Sequence, residues 1–111
     1  MLLRRFSGQS SPVIACGDLS YDTNTREFQI AGKPLGLTPR ERAVLEVLIR
    51  KAGTTVAKQA LAQSLFSLDE DASADAIEIY VYRLRKKLEG STAKIMTLRG
   101  LGYLLRQEAH A

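Results

Sequence analysis

Along this chain the spacing of apolar positions changes twice, from short runs to helical spacing and back. Val13–Cys16 and Leu19–Asp22 are short strand-like runs joined at Gly17-Asp18. Thr23-Asn24-Thr25 has the polar, small composition of a turn. Residues 26–31 then alternate, with Phe28 and Ile30 on one face, as a half-buried strand does. Gly32-Lys33-Pro34 predicts another turn, and Leu35-Gly36-Leu37 a short fourth strand. The first third of the chain therefore predicts a small four-stranded antiparallel sheet.

The period then lengthens. Ala43-Val44 and Val47-Leu48 recur at helical spacing. Thr38 stands at the N-cap, Pro39 suits the first helical position, and Glu41, three residues after Thr38, completes a capping box. Gly53 ends this first helix. A second helix is predicted over Lys58–Phe66, with Leu61, Leu65 and Phe66 as its apolar edge. Ala57 stands where a capping hydroxyl would serve, a deficit of about 1 kcal/mol. A third helix over residues 74–88 has Ser73 as its cap; Asp75 at its start and Lys86 and Lys87 at its end agree with the helix dipole. Residues 94–98 and 103–106 predict two strands joined by Arg99-Gly100-Leu101-Gly102, so the domain closes on a β-hairpin. The fold class is α+β.

Composition changes this picture in three ways. The chain has 111 residues with 45% apolar content, one domain's worth with a single modest core. It has one cysteine, Cys16, and one histidine, His110, too few for a zinc site or a disulfide; Cys16 reads as a small buried side chain in a strand. No apolar run approaches the roughly 20 residues of a membrane span, and residues 1–5 lack the apolar centre of a signal peptide, so no membrane association and a cytoplasmic location are expected. The net charge of +4 is unevenly spread. Between Tyr82 and Arg106 lie seven cations and one anion, Glu89; the remainder balances at nine cations against eleven anions. Such concentration fits either an electrostatic footprint for phosphate or a solvated basic face.

The third helix discriminates further. At 100° per residue, Ile77, Val81, Leu84 and Leu88 fall in one ~60° stripe and form its core face. The opposite face carries Asp75, Ile79, Tyr82, Arg83 and Lys86. Long cations with an aliphatic and a hydroxyl-bearing ring suit the major groove, where arginine donates twice to guanine and apolar groups meet thymine methyls. Arg83 is the strongest base-reading candidate. Ile79 fits a thymine methyl or packing against a neighbouring element, and Tyr82 a phosphate or plain surface exposure. Arg85 and Lys87 flank the core stripe, where phosphate contact or solvation is expected, and Tyr80 is expected to pack. Arg99 at the hairpin tip suits a narrow minor groove, and the hydroxyls of Thr97 and Tyr103 suit phosphates. Gly100 and Gly102 at the least make a tight turn. No metal-ligand cluster, nucleophile–base set or phosphate-cradling glycine loop is present in the sequence, so no enzyme activity, cofactor or metal is expected.

In order and at fitting spacing, the segments Leu37-Thr38-Pro39-Arg40-Glu41-Arg42-Ala43-Val44-Leu45, Val56 to Phe66, Asp75 to Leu88, and Thr97-Leu98-Arg99-Gly100-Leu101-Gly102-Tyr103 resemble the OmpR/PhoB-type winged helix-turn-helix domain of bacterial two-component response regulators. The resemblance implies a four-stranded N-terminal sheet, a three-helix bundle and a C-terminal hairpin wing over residues 13–106, with sequence-specific binding of double-stranded DNA. It implies base contacts from Ile79, Tyr82 and Arg83. Backbone or minor-groove contacts fall to Arg85, Lys86, Thr97, Arg99, Gly100 and Tyr103. It maps a polymerase-facing loop onto Phe66, Ser67, Leu68, Asp69, Glu70 and Asp71, whose acidic run equally suits a solvated loop. Asp75 and Tyr82 stand where some family members carry arginine. Residues 1–12 resemble the end of a receiver domain and its linker, and residues 107–111 a tail. Homodimers on a direct-repeat operator, RNA polymerase and the receiver domain are the implied partners, the fragment alone being monomeric. A winged-helix protein–protein module is the alternative.

Overall fold

The computed structural model describes residues 12–66 and 74–108. The elements run β1 (Val13–Cys16), β2 (Leu19–Asp22), β3 (Glu27–Ile30), β4 (Lys33–Leu35), α1 (Pro39–Arg50), α2 (Lys58–Phe66), α3 (Ala74–Lys87), β5 (Ala93–Leu98) and β6 (Gly102–Gln107). The first four strands form an antiparallel sheet in chain order; β5 and β6 form a separate antiparallel hairpin. This is the α+β architecture that the sequence predicts.

The third helix ends one residue earlier than expected and the two hairpin strands each extend by one residue at one or both ends, while β3 and β4 differ for a specific reason. The third strand covers residues 27–30 rather than 26–31, because Arg26 (φ 63°) and Ala31 (φ 52°) both leave the extended region. The fourth strand covers residues 33–35 rather than 35–37. The turn before it is Ala31-Gly32, both with positive φ, and Ile30 pairs with Lys33. A two-residue turn with two positive φ values matches the twist of a hairpin. Pro34 can then sit in β4 because β4 is an edge strand.

Helix α1 is the centre of the molecule. Ala43, Val44, Leu45, Leu48 and Ile49 are buried, more of its circumference than a single stripe supplies. The cause is that α1 packs against α2, α3, β1 and β6 at once. From α3 come Ile77, Val81, Leu84 and Leu88, and from the strands Leu19, Tyr21, Phe28, Ile95, Tyr103 and Leu105. Tyr21 stacks on Phe28 with ring centroids 4.4 Å apart, and its hydroxyl donates to Glu46 of α1. The sheet is thereby fixed to the helix layer. Asp18, in the β1–β2 turn, accepts from the Ser91 hydroxyl and from the Thr92 N–H at 3.1 Å, which ties the sheet to the base of the hairpin.

The start of α1 forms as its sequence predicts. The Glu41 N–H donates to Thr38 Oγ1 at 3.2 Å, and the Thr38 N–H donates to Glu41 Oε1 at 3.1 Å. The Glu41 carboxylate is only 2% exposed and also receives Lys87 Nζ, from the last turn of α3, at 2.6 Å. Lys87 additionally donates to the Gly36 carbonyl at 3.0 Å. So the Lys87 ammonium, though its side chain is still 35% exposed, is engaged within the fold and joins α3 to the entry of α1. Burial pushes the Glu41 carboxyl up, but the Lys87 ammonium and the Thr38 N–H outweigh it and hold it below the ordinary carboxylate range.

A folded-state pKa below the unfolded value means that the unfolded chain binds more protons, so this contribution is present above the unfolded glutamate pKa of about 4.3 and is lost as pH falls through the folded value. Lys87→Met should therefore cost about 1–3 kcal/mol near neutral pH. The difference from the unsubstituted chain should shrink as pH drops below about 4. Urea midpoints across that range check this; a difference that does not change with pH would refute the pairing.

Candidate nucleic-acid interface

Helix α3 and the β5–β6 hairpin meet along a cleft of about 740 Å³, which the N-terminal turn of α2 closes at one side. Lys58 and Gln59 of α2, Glu78, Tyr82 and Arg85 of α3, and the segment from Thr97 to Tyr103 line it. Beside the cleft lies the outward face of α3. Ile79 is 53% and Tyr82 60% exposed, and Arg83 and Lys86 are exposed with them. Among the described residues no element packs over Ile79. Tyr80 is half-buried against the core, with the Arg83 guanidinium 6.0 Å from its ring centre. Lys86 Nζ lies 5.6 Å from the Tyr82 ring, so the two form one cationic and aromatic surface.

Three cations tie the edges of this face to its surroundings. Lys58 pairs with Glu78 at 2.7 Å, joining α2 to α3. Lys87 holds the opposite flank through Glu41. Arg85 Nε donates to the Ile95 carbonyl at 3.2 Å, and its other nitrogen donates to Thr97 Oγ1. Arg83, Lys86 and Arg99, by contrast, form no ion pair with any described residue. The outward face of α3 and the hairpin tip thus both display positive charge that no ion pair with a described residue offsets.

The hairpin is built to hold that tip in place. Val56 and Tyr103 exchange backbone hydrogen bonds of 2.7 and 2.9 Å, so the α1–α2 connection adds to the outer side of β6. Tyr103 is 5% exposed; its ring belongs to the core, which leaves little of it for a ligand. At the tip the Leu101 N–H donates to the Leu98 carbonyl at 2.9 Å, with Gly100 at φ 75°. Arg99 and Leu101 are exposed there, Leu101 to 67%. The two glycines of the motif serve different ends. Gly100 has open space around it and meets only a conformational demand. Gly102 lies against Val56, and a Cβ there would sit 2.1 Å from the Val56 carbonyl oxygen.

Of the residues singled out in the sequence, Tyr82, Thr97, Arg99 and Gly100 line the cleft, and Ile79, Arg83 and Lys86 are exposed on the outward face of α3 beside it. Arg85 adjoins it with its guanidinium engaged. Lys58 and Glu78, both on the cleft, were not singled out; the sequence carries no sign of a pair 20 residues apart. Residues 67–71 of the acidic loop lie outside the described residues, as do residues 1–11. Among the described residues no group of three His, Cys, Asp or Glu could hold a metal ion, and no helix is long and apolar enough to cross a membrane.

Residues 32–105 match the family described as "Transcriptional regulatory protein, C terminal". The chain is similar to the transcriptional regulatory protein TctD of Salmonella typhimurium, 46% identical over 106 residues, which are 96% of this chain and 47% of TctD. It is also similar to the two-component response regulator PhoP of Pseudomonas aeruginosa, 41% identical over 108 residues, covering 96% of this chain and 48% of PhoP. The chain spans about half the length of the curated relatives it matches. Among solved structures it resembles the RstA DNA-binding domain of Klebsiella pneumoniae in complex with the RstA box, with TM-score 0.71, 28% identity and coverage of 85% of this chain and 96% of that one. It resembles the DNA-binding domain of CpxR from Escherichia coli with TM-score 0.74, 28% identity and coverage of 89% and 100%.

The two glycines yield a comparison. Gly100→Ala should cost about 1–2 kcal/mol, the strain of a positive φ. Gly102→Ala should cost more than about 2 kcal/mol, because strain and a clash with backbone combine. Urea midpoints of the two variants, measured side by side, test the order; equal losses would contradict the packing at Gly102.

Proposed function

The chain belongs to the OmpR/PhoB-type family of transcriptional regulatory C-terminal domains, and on that premise we propose that it binds double-stranded DNA sequence-specifically as the output domain of a phosphorylation-controlled response regulator. The observation that carries this reading is the outward face of α3, where exposed Ile79 and Tyr82 stand among cations without internal counter-ions, beside a hairpin that ends in Arg99. An α-helix fits the major groove. Arg83 reads a purine there, guanine by its bidentate geometry, while Ile79 meets thymine methyls and Tyr82 the adjoining base edge. Lys86, the Thr97 hydroxyl and the Gly100 backbone face phosphates, and Arg99 enters the adjacent minor groove.

Residues 13–106 form the DNA-binding unit on this reading. Residues 1–12 connect it to a receiver domain whose phosphorylation pairs two copies on a direct-repeat operator, in the cytoplasm, and residues 66–71 face RNA polymerase. The share of the relatives' length that this chain spans supports a receiver domain in the whole protein. The domain itself catalyses nothing; it acts by placement.

Selection of duplexes from a random pool, followed by affinity measurements at two salt concentrations, tests the function. Enrichment of a short motif, with affinity falling by a slope of ~0.9 per neutralised phosphate, is expected. Weak, salt-insensitive binding without a motif would overturn the proposal. Within the selected site, Arg83→Ala should cost about 1–3 kcal/mol and relax preference at one base pair. A loss spread uniformly over all sequences would remove Arg83 from the base-reading set.

A further inference from the structure

We infer that Arg85 is a positioning residue rather than a DNA ligand: it clamps the hairpin to α3, so that Arg99 is presented in fixed register with Ile79, Tyr82 and Arg83. The inference rests on the DNA-binding reading above for its consequence, but not for its geometry. An exposed arginine on a basic cleft would ordinarily be assigned to phosphate. Here the guanidinium already has two acceptors on one strand, the Ile95 carbonyl at 3.2 Å and the Thr97 hydroxyl. Both lie on β5, which pairs on one side only, with β6. A planar guanidinium donating through two nitrogens fixes an angle as well as a distance, which an ammonium does not. Arg85 therefore sets how β5 leans against α3.

The placement of the clamp gives it leverage. Thr97 is two residues before Arg99, and beyond Thr97 the strand runs into the tip turn closed by Leu98 and Leu101. Elsewhere the hairpin is held at its base, where Ala93, Ile95 and Leu105 are buried and the Gly53 N–H donates to the Leu105 carbonyl, and through β6 by the Val56–Tyr103 backbone pair. Without Arg85, β5 keeps its β6 partner but loses its polar tie to α3, and the tip can swing relative to the helix. Arg85 accepting this task also leaves the Thr97 hydroxyl oriented: it accepts from the guanidinium and turns its own hydrogen outward, free to donate to a phosphate.

Arg85→Lys, Arg85→Met, Thr97→Val, Arg99→Ala and the double variant Arg85→Met with Arg99→Ala separate the two roles. Backbone amide relaxation at Gly100 and Leu101 is measured in the DNA-free 111-residue chain, and binding to the duplex selected by the unsubstituted chain is measured against salt. As a positioning residue, Arg85 gives increased tip mobility in the DNA-free chain when replaced by Met or Lys, and Thr97→Val, which removes the hydroxyl that accepts from the guanidinium, does the same. Affinity drops about tenfold with the salt slope unchanged, Lys does not rescue, and Arg99→Ala costs less in the Arg85→Met background than alone. A salt slope lowered by about one unit, with rescue by Lys and additive losses, would make Arg85 a phosphate ligand and overturn the inference. Unchanged tip mobility in all three variants would overturn it as well. If the unsubstituted chain selects no duplex, the proposed function fails, while the relaxation of the DNA-free protein still decides the clamp.

Discussion

One buried carboxylate holds the working parts of this domain together. Glu41 accepts from the Thr38 backbone, which starts α1, and from Lys87, which ends α3. At 2% exposure it has little water to fall back on, so both donors are needed to offset its desolvation. The same atom that nucleates the central helix therefore fixes the C-terminal end of the helix that faces outward. Once those two helices are locked, the apolar stripe of α3 meets α1 in one register, and Ile79, Tyr82 and Arg83 follow from helical geometry alone.

What the sequence discloses and what it hides divide by distance along the chain. The capping box and α2 rest on neighbours within four residues and the first two strands on each other, with partners within nine, and each forms where its pattern predicts. The fourth strand starts two residues earlier than its pattern predicts, because Gly32-Lys33-Pro34 looks like a turn, whereas two positive φ values at Ala31 and Gly32 let the strand resume at Lys33 and carry Pro34 on an edge. The outward face of α3 was legible because a helix exposes what its core stripe leaves. The roles of its flanks were not. Lys87 and Glu41 are 46 residues apart, Lys58 and Glu78 are 20 apart, and Arg85 reaches a strand 10 to 12 residues on. Each of these cations carries the composition of a phosphate ligand; only the fold reveals that it already has a partner.

The division between paired and unpaired cations has a physical logic. A recognition helix must expose apolar and charged groups that would otherwise serve its packing, so its attachment cannot come from a wide apolar face. Its core stripe is four residues, and polar ties on both flanks supply the remaining constraint: Lys87 to α1, Glu78 to α2, Arg85 to the hairpin. Exposed pairs such as Lys58–Glu78 contribute little to stability. Their use lies in orientation, because each removes a direction in which the helix can roll.

The same division bounds how strongly one copy can bind. On the proposed reading Lys86 and the Thr97 hydroxyl face phosphates while Arg83 and Arg99 enter the grooves, so a single domain neutralises only a few phosphates, each adding ~0.9 to the salt slope. Three candidate base-contacting side chains on one helix add about 1–3 kcal/mol of discrimination per good pair. That is a small footprint for choosing one site among the many in a genome. Joining two copies on adjacent half-sites multiplies affinity through effective concentration without any new contact to bases. On the proposed reading, control of pairing by another part of the whole protein would be a control on occupancy, because a copy that bound tightly alone would respond to no signal.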